Sequence, residues 1–479
     1  MARPSSGAKL GVFGAAILMI SAACGSTTST PSPAASTAST PAASGSEAAS
    51  QPASAAAQPY AGQTVVVNTV ENQEYVAFKD LLPDFEARTG INVSYNFIDT
   101  SAYQDKLPIQ LAAKDSSFDV FFIGSENLPK YVAQGVVQPL DQYINDTTAT
   151  PASWDYNDVL STARSVCTSQ GHVYCVGTHL GASILYYNKK MFSDAGLSGP
   201  PQTTDEVLSD ALKLTTADHA GFCMRGDKTQ NLLDPIYAWG YWLPYQNDVT
   251  GYWFDKNWNF MQGQAPYASQ FGNWYRDILT KAAPKGITTY LFSNCLSDLQ
   301  QGKVAMWWDD SSFVSDLTDP NKSATAADMG YSEIPCATVN PDHCVVVGPW
   351  AGFINQYSQH KDAAWQVLQF LTSKEAATHA VSVKMLANPV RTSVTQDPSL
   401  SSAYPADYLT SVGYAGAHGN PVLLPFIPEG VAIIPPISLG LSELASNQGT
   451  VDEVMTKMTS GVNDIMTKAG YPKSVPGVN

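Results

Sequence analysis

An α/β fold built on doubly wound sheets is predicted for this chain on three observations. From Thr64 onward, β-branched runs that read as buried strands alternate with segments of helical period. Gly90 separates the first helical stretch from the next strand. Polar groups, Glu71-Asn72 and Ser125-Glu126-Asn127, fall just after strand ends, the edge at which open α/β sheets bind ligands.

The chain has 479 residues, 44% of them apolar, enough for two or three domains. A formal charge of −16 argues against nucleic acid and against electrostatic attachment to anionic lipid. The 10 Trp and 23 Tyr suit a polar ligand with faces to stack on.

Residues 1–23 read as a secretory signal. Arg3 and Lys9 supply its positive start, Leu10 to Ile20 its apolar stretch, and Ser21-Ala22-Ala23 its cleavage site. With Cys24 next, the arrangement resembles a bacterial lipobox, although Ser21 stands where Leu is commonest. Cys24 would then carry a lipid on the outer face of the cell membrane, the only membrane contact expected. No later run reaches the roughly 18 apolar residues of a spanning helix. Residues 24–60, mostly Ser, Thr, Ala and Pro, read as a disordered tether.

Six further cysteines in an exported chain imply disulfides. Cys167–Cys175 and Cys336–Cys344 enclose turn residues and are expected as hairpin staples, leaving Cys223–Cys295 as a long-range tie. No C-x-x-C occurs, and neither a metal nor a cofactor is expected.

In chain order, Thr64 to Val67 is a strand, followed by a helix carrying Tyr75, Phe78, Leu81, Leu82 and Phe85, with Pro83 as a kink. Ile91 to Tyr95 is a strand, Tyr103 to Ala113 helical, and Phe118 to Ile123 a buried strand. Tyr174 to Thr178 marks a change in the chain, and Ala182 to Asn188 after it reads as a further apolar strand. Thr203 and Glu206 form a capping box, Gly221 to Cys223 a strand, and Trp274 to Thr280 a helix. Gly302 turns into the apolar run Val304 to Trp308, which ends in Asp309-Asp310-Ser311-Ser312. Rings beside acids can offer a sugar both a stacking face and hydroxyl acceptors; core packing of Trp307 and Trp308 is the plainer reading. Val345 to Ile354 is a return strand. Ser373 caps one of the two helices that follow, and Thr450 and Glu453 open the last helix, which Lys468 and Gly470 end.

Phe118-Asp119-Val120, Tyr187-Asn188-Lys189-Lys190-Met191-Phe192 with Ala195-Gly196-Leu197, and Gly302 to Met306, in this order, resemble the extracellular solute-binding proteins of ABC importers. The likeness is to the sugar-binding family that includes maltodextrin-binding proteins. A narrower likeness to the sorbitol/mannitol-binding branch rests on Phe222 to Gly226, Gly251 to Trp258, Met306 to Asp309 with Thr318-Asp319-Pro320, Asn388 to Ser393, and Lys468 to Tyr471. Where that branch tends to carry Glu, this chain has Gly181.

The resemblance implies a two-lobed clamp of the periplasmic-binding type, each lobe a doubly wound sheet flanked by helices. Lobe one would be 61–174 plus 356–397, and lobe two 175–355 plus 398–479, with hinge crossings near 175–180 and 350–355. It implies a monomer that captures a sugar or sugar alcohol, a sorbitol- or mannitol-like polyol foremost, for permease subunits. In that setting Asp309 would accept ligand hydroxyls and Arg225 would fork onto vicinal ones. Trp350 at the second crossing would stack on the carbon face. Glu126 and Asn127 would grip from the opposite wall, with Asn72 beside them. Arg391 would be a ligand donor or an inter-lobe latch, while His179 and Glu429 are outlying candidates. An enzyme is not expected: Asp309 and Asp310 are adjacent and point apart, a poor glycosidase pair, and no metalloprotease, serine-hydrolase or P-loop motif occurs.

Overall fold

The computed structural model describes residues 58–228, 242–335 and 345–472. The signal, Cys24, all but the last residues of the tether, and Cys336 and Cys344 lie outside the described residues.

Ten strands occur among the described residues: β1 (Thr64–Val70), β2 (Asn92–Ile98), β3 (Val120–Gly124), β4 (Thr168–Ser169), β5 (His172–Val173), β6 (Cys175–Asn188), β7 (Met306–Asp310), β8 (Met329–Glu333), β9 (Val345–Ile354) and β10 (Gly419–Asn420). Six of them form one path, β2-β1-β3-β9-β6-β7, with β8 also paired to β6 and β10 to β9. β1 is parallel to β2 and β3. β9 runs antiparallel to β3 and β6, and β6 antiparallel to β7 and β8. The long strands β6 and β9 therefore join a parallel group at one side to an antiparallel group at the other.

Local chemistry explains most boundaries. Val65 and Val67 of β1 are wholly buried, as a β-branched strand under covering helices should be. The kinked helix expected after it is two helices, Gln73–Asp80 and Leu82–Thr89. Pro83 lies in the first turn of the second, where a missing N–H leaves no helical bond unmade. Gly90 closes that helix at φ +72°, in the left-handed region, its N–H donating to the Glu86 carbonyl at 2.8 Å. Thr203 caps its helix by accepting from the Glu206 N–H at 3.1 Å, but the Glu206 carboxylate takes the Gln202 N–H instead of returning to Thr203. The last helix, Val451–Lys468, has the full reciprocal box between Thr450 and Glu453.

Two expectations change, and the plainer reading of Trp307 and Trp308 holds. The strand expected at Ala182 to Asn188 starts earlier: Cys175–Asn188 is one strand, buried throughout, with a register shift against β9 between Gly177 and His179. The small and polar residues in its middle imitate a break in a strand that is covered on both faces. Gly221 to Cys223 is not a strand; single bridges join Ala220 to Val304 and Cys223 to Trp307. Trp307 and Trp308 are both fully buried, and their indole N–H groups donate to Asp309 at 2.9 Å and Ser183 at 2.7 Å. Both rings are core.

β4 and β5 form a hairpin whose turn residues Gln170 and Gly171 both have positive φ, the backbone of a tight two-residue turn. The Cys167–Cys175 disulfide closes its base. Cys223–Cys295 is also formed, fastening the segment beside β7 to the helix Phe292–Gln300.

Candidate functional site

The site begins where three neighbouring strands come into register. Gly124 at the end of β3 lies opposite Trp350 of β9, and Trp350 lies opposite His179 of β6. Two residues further along, Gly181 lies opposite Gly348. Alternation puts all of these on one face of the sheet. The Trp350 ring is half-buried and lies 18° from parallel to the His179 imidazole at 6.2 Å. Behind it, the Thr178 hydroxyl donates to the Trp350 carbonyl at 3.1 Å and pairs with the Tyr75 hydroxyl at 3.0 Å, fixing the two crossing strands together.

Above this floor is a cavity of about 240 Å³. One wall comes from the chain after β1 and β3, including Asn72, Gln73, Glu74 and Glu126. The other comes from Arg225, Phe292 and the end of β7, where Asp310, Ser312 and Asp316 line it. The side chains of Gln73 and Asp316 hydrogen-bond to each other, joining the two walls.

Charge is distributed unevenly. His179 is buried and lies 2.8 Å from Glu74. Burial pushes its pKa down, but Glu74 and the more distant Asp310 outweigh that and raise it. Burial raises the Asp310 carboxyl despite the opposing pull of His179 and of Ser312, whose N–H donates to it at 2.8 Å. Burial also lifts Glu126 from the ordinary 4.5 to about 7. An acid with a raised folded-state pKa supports the fold fully below its unfolded pKa, and that support is lost as pH rises through the folded value. Glu126→Gln should therefore raise the thermal midpoint relative to the parent more at about pH 8 than at about pH 5. Equal shifts at both would mean that Glu126 titrates normally.

Of the residues expected from sequence, Arg225, Trp350, Glu126, Asn72 and His179 line this cavity. Asn127 lies just beneath, donating to the Gly124 carbonyl at 3.2 Å and to Glu126 at 3.0 Å, so it orients Glu126. Asp309 is not in the lining: it is fully buried, takes a forked contact from Arg225, and accepts from Trp307 and the Asp310 N–H. Its neighbour Asp310 faces the cavity instead. Arg391 is away from it, bonded to the carbonyls of Thr372 at 2.7 Å and Trp154 at 2.8 Å and to Asp158 at 3.3 Å. Glu429 also lies outside it and accepts from the Tyr471 hydroxyl at 2.9 Å. Sequence reasoning missed Asp310, Gln73, Glu74 and Asp316. Glu74 and Gln73 follow the first strand directly, a signal that was within reach; Asp316 has no local mark.

An α/β body with a polar, ring-floored cavity at its crossing strands defines a solute-binding clamp of the two-lobed periplasmic type. The comparisons agree. Residues 68–378 match the family of bacterial extracellular solute-binding proteins, and the chain belongs to that family. It is similar to the erythritol/L-threitol-binding protein of Mycolicibacterium smegmatis, 26% identical over 70% of this chain and 72% of that one. It is also similar to the mannitol-binding protein of Pseudomonas aeruginosa, 25% identical over 86% of this chain and 95% of that one. Among solved structures, an ABC transporter solute-binding protein of Agrobacterium vitis with bound D-mannitol superposes with a TM-score of 0.73 at 26% identity, covering 86% of this chain and all of that one. A ribitol complex from Agrobacterium radiobacter shares the fold, with a TM-score of 0.74 at 22% identity over 85% of this chain and all of that one. The chain is thus a solute-binding protein of the ABC-transporter type and not an enzyme. No described helix is long and apolar enough to cross a membrane.

Proposed function

We propose that this protein captures a small sugar alcohol, or a sugar of similar size, between its lobes and delivers it to the permease of an ABC importer. The observation that carries the reading is the pairing of the Trp350 ring with carboxylates from both walls of one small cavity. C–H faces stack on the ring while hydroxyls donate to Glu126 and Asp310. The cavity, about 240 Å³, is below the roughly 300–1,000 Å³ of pockets for drug-sized ligands, which favours a polyol or monosaccharide over an oligosaccharide. The names of the two relatives and the mannitol complex support the same class.

The lobes proposed are 61–174 with 356–397, and 175–355 with 398–479. Their closure would bring both walls onto the solute. The protein would act as a monomer held at the membrane by a lipid on Cys24. Arg225, forked onto Asp309, still lines the cavity and can donate to a hydroxyl. A micromolar ligand corresponds to about 8 kcal/mol, within reach of several desolvated hydrogen bonds and one stacked ring.

The Gln73–Asp316 bond joins the two walls, so Gln73→Ala should weaken ligand binding about fivefold, the worth of one hydrogen bond. Unchanged affinity by calorimetry would mean that this bond takes no part in closure. The reading as a whole is tested by a thermal-shift panel of tetritols, pentitols, hexitols, monosaccharides and short oligosaccharides. A shift with at least one polyol supports it; a shift with oligosaccharides alone overturns it.

A further inference from the structure

Two carboxylates lie directly over bare backbone on the cavity floor. A Cβ on Gly181 would collide with the Asp310 carboxylate and crowd the Gly348 carbonyl at 2.9 Å. A Cβ on Gly124 would collide with the Glu126 carboxylate, which folds back over it. Gly124 is on β3 and Gly181 on β6, two strands apart and offset by two residues along them, so the acids stand roughly 12 Å from one another across the sheet. On the strand between, Trp350 of β9 is in register with Gly124, and Gly348, two residues away, is in register with Gly181.

The two cationic side chains in the lining, Arg225 and His179, already face carboxylates of the protein. Arg225 is forked onto Asp309 outside the lining, His179 contacts Glu74, and Lys322 is 2.7 Å from Asp316. Neither Glu126 nor Asp310 has an ion-pair partner among the described residues. Together with Glu71, which also lines the cavity, they give the ligand an excess of acceptors and of negative charge.

We propose that the cleft selects its ligand by charge, Asp310 and Glu126 being specificity-determining residues and Gly181 the position that lets Asp310 lie against the sheet. Resting on the polyol reading above, this names the class within it: uncharged polyols and their amine-bearing analogues enter, and sugar acids of the same length do not. A ligand hydroxyl or ammonium donates to either acid. A ligand carboxylate has no donor to offer and is set beside two like charges in a partly desolvated space.

The test is calorimetric titration, at mildly alkaline pH, of the parent protein with a hexitol, its 1-amino-1-deoxy analogue and the aldonate of the same carbon number. The aldonate should bind at least about tenfold more weakly than the hexitol, and the amine at least as well as the aldonate's neutral counterpart. Asp310→Asn should narrow the hexitol–aldonate gap by about threefold or more, and Gly181→Ala, by displacing the Asp310 carboxylate, should narrow it in the same direction. Equal binding of hexitol and aldonate by the parent protein overturns charge selection while leaving polyol capture standing, and it needs no variant to fold. A gap unchanged in a folded Asp310→Asn overturns the role of Asp310. Absence of binding by every neutral polyol and sugar removes the polyol reading, and this inference with it.

Discussion

Replacing Asp309 with alanine should lower the stability of the protein by about 3–5 kcal/mol, the usual cost of removing one partner from a buried ion pair. Asp309 is fully buried and satisfies four N–H groups at once. It accepts from the Nε and Nη2 of Arg225, from the Trp307 indole at 2.9 Å, and from the Asp310 backbone at 2.7 Å. Alanine would leave the Trp307 N–H orphaned in the core and take away the buried carboxylate onto which the Arg225 guanidinium, itself 13% exposed, is forked. The loss is read from denaturant midpoints at unchanged slope. Any loss of affinity in this variant would then act through a displaced Arg225. A destabilisation under about 1 kcal/mol would show that Asp309 is dispensable to the wall, contrary to its geometry.

Trp350→Ala should act the other way, weakening polyol binding by roughly tenfold or more, about 1.4 kcal/mol, with little change in stability. The ring is half-buried and faces the cavity, while the structural role of the residue lies in its backbone, through strand pairing and the carbonyl that accepts from Thr178. Truncation removes the stacking face and leaves the strand. Trp350→Phe should keep much of the affinity, since a smaller ring still offers a flat face. Normal binding by Trp350→Ala would remove this cavity as the ligand site.

Elements marked by strong local chemistry were legible from the sequence. The β-branched run of β1, the Thr450–Glu453 box, the Cys167–Cys175 hairpin and the run of β9 each carry their own cause within a few residues. Features set by tertiary partners were not. Adjacent acids at a strand end point to opposite sides, and only the pairing of β7 with β6 decides that Asp310 turns to the cavity and Asp309 to Arg225. Arg391 carries the same charge as Arg225, yet it is held by the Thr372 carbonyl and by the carbonyls of Trp154 and Asp155, the last two more than two hundred residues away. The Gly181–Gly348 floor is likewise a property of two strands in register, invisible in either alone.

The claim on which the account depends is that two α/β halves, joined by β6 and β9, close over a small hydroxylated solute. Solution X-ray scattering of the purified protein, with and without the polyol that gives the largest thermal shift, tests it most directly. A smaller radius of gyration at saturating ligand is the result expected; identical profiles with and without saturating ligand would contradict it.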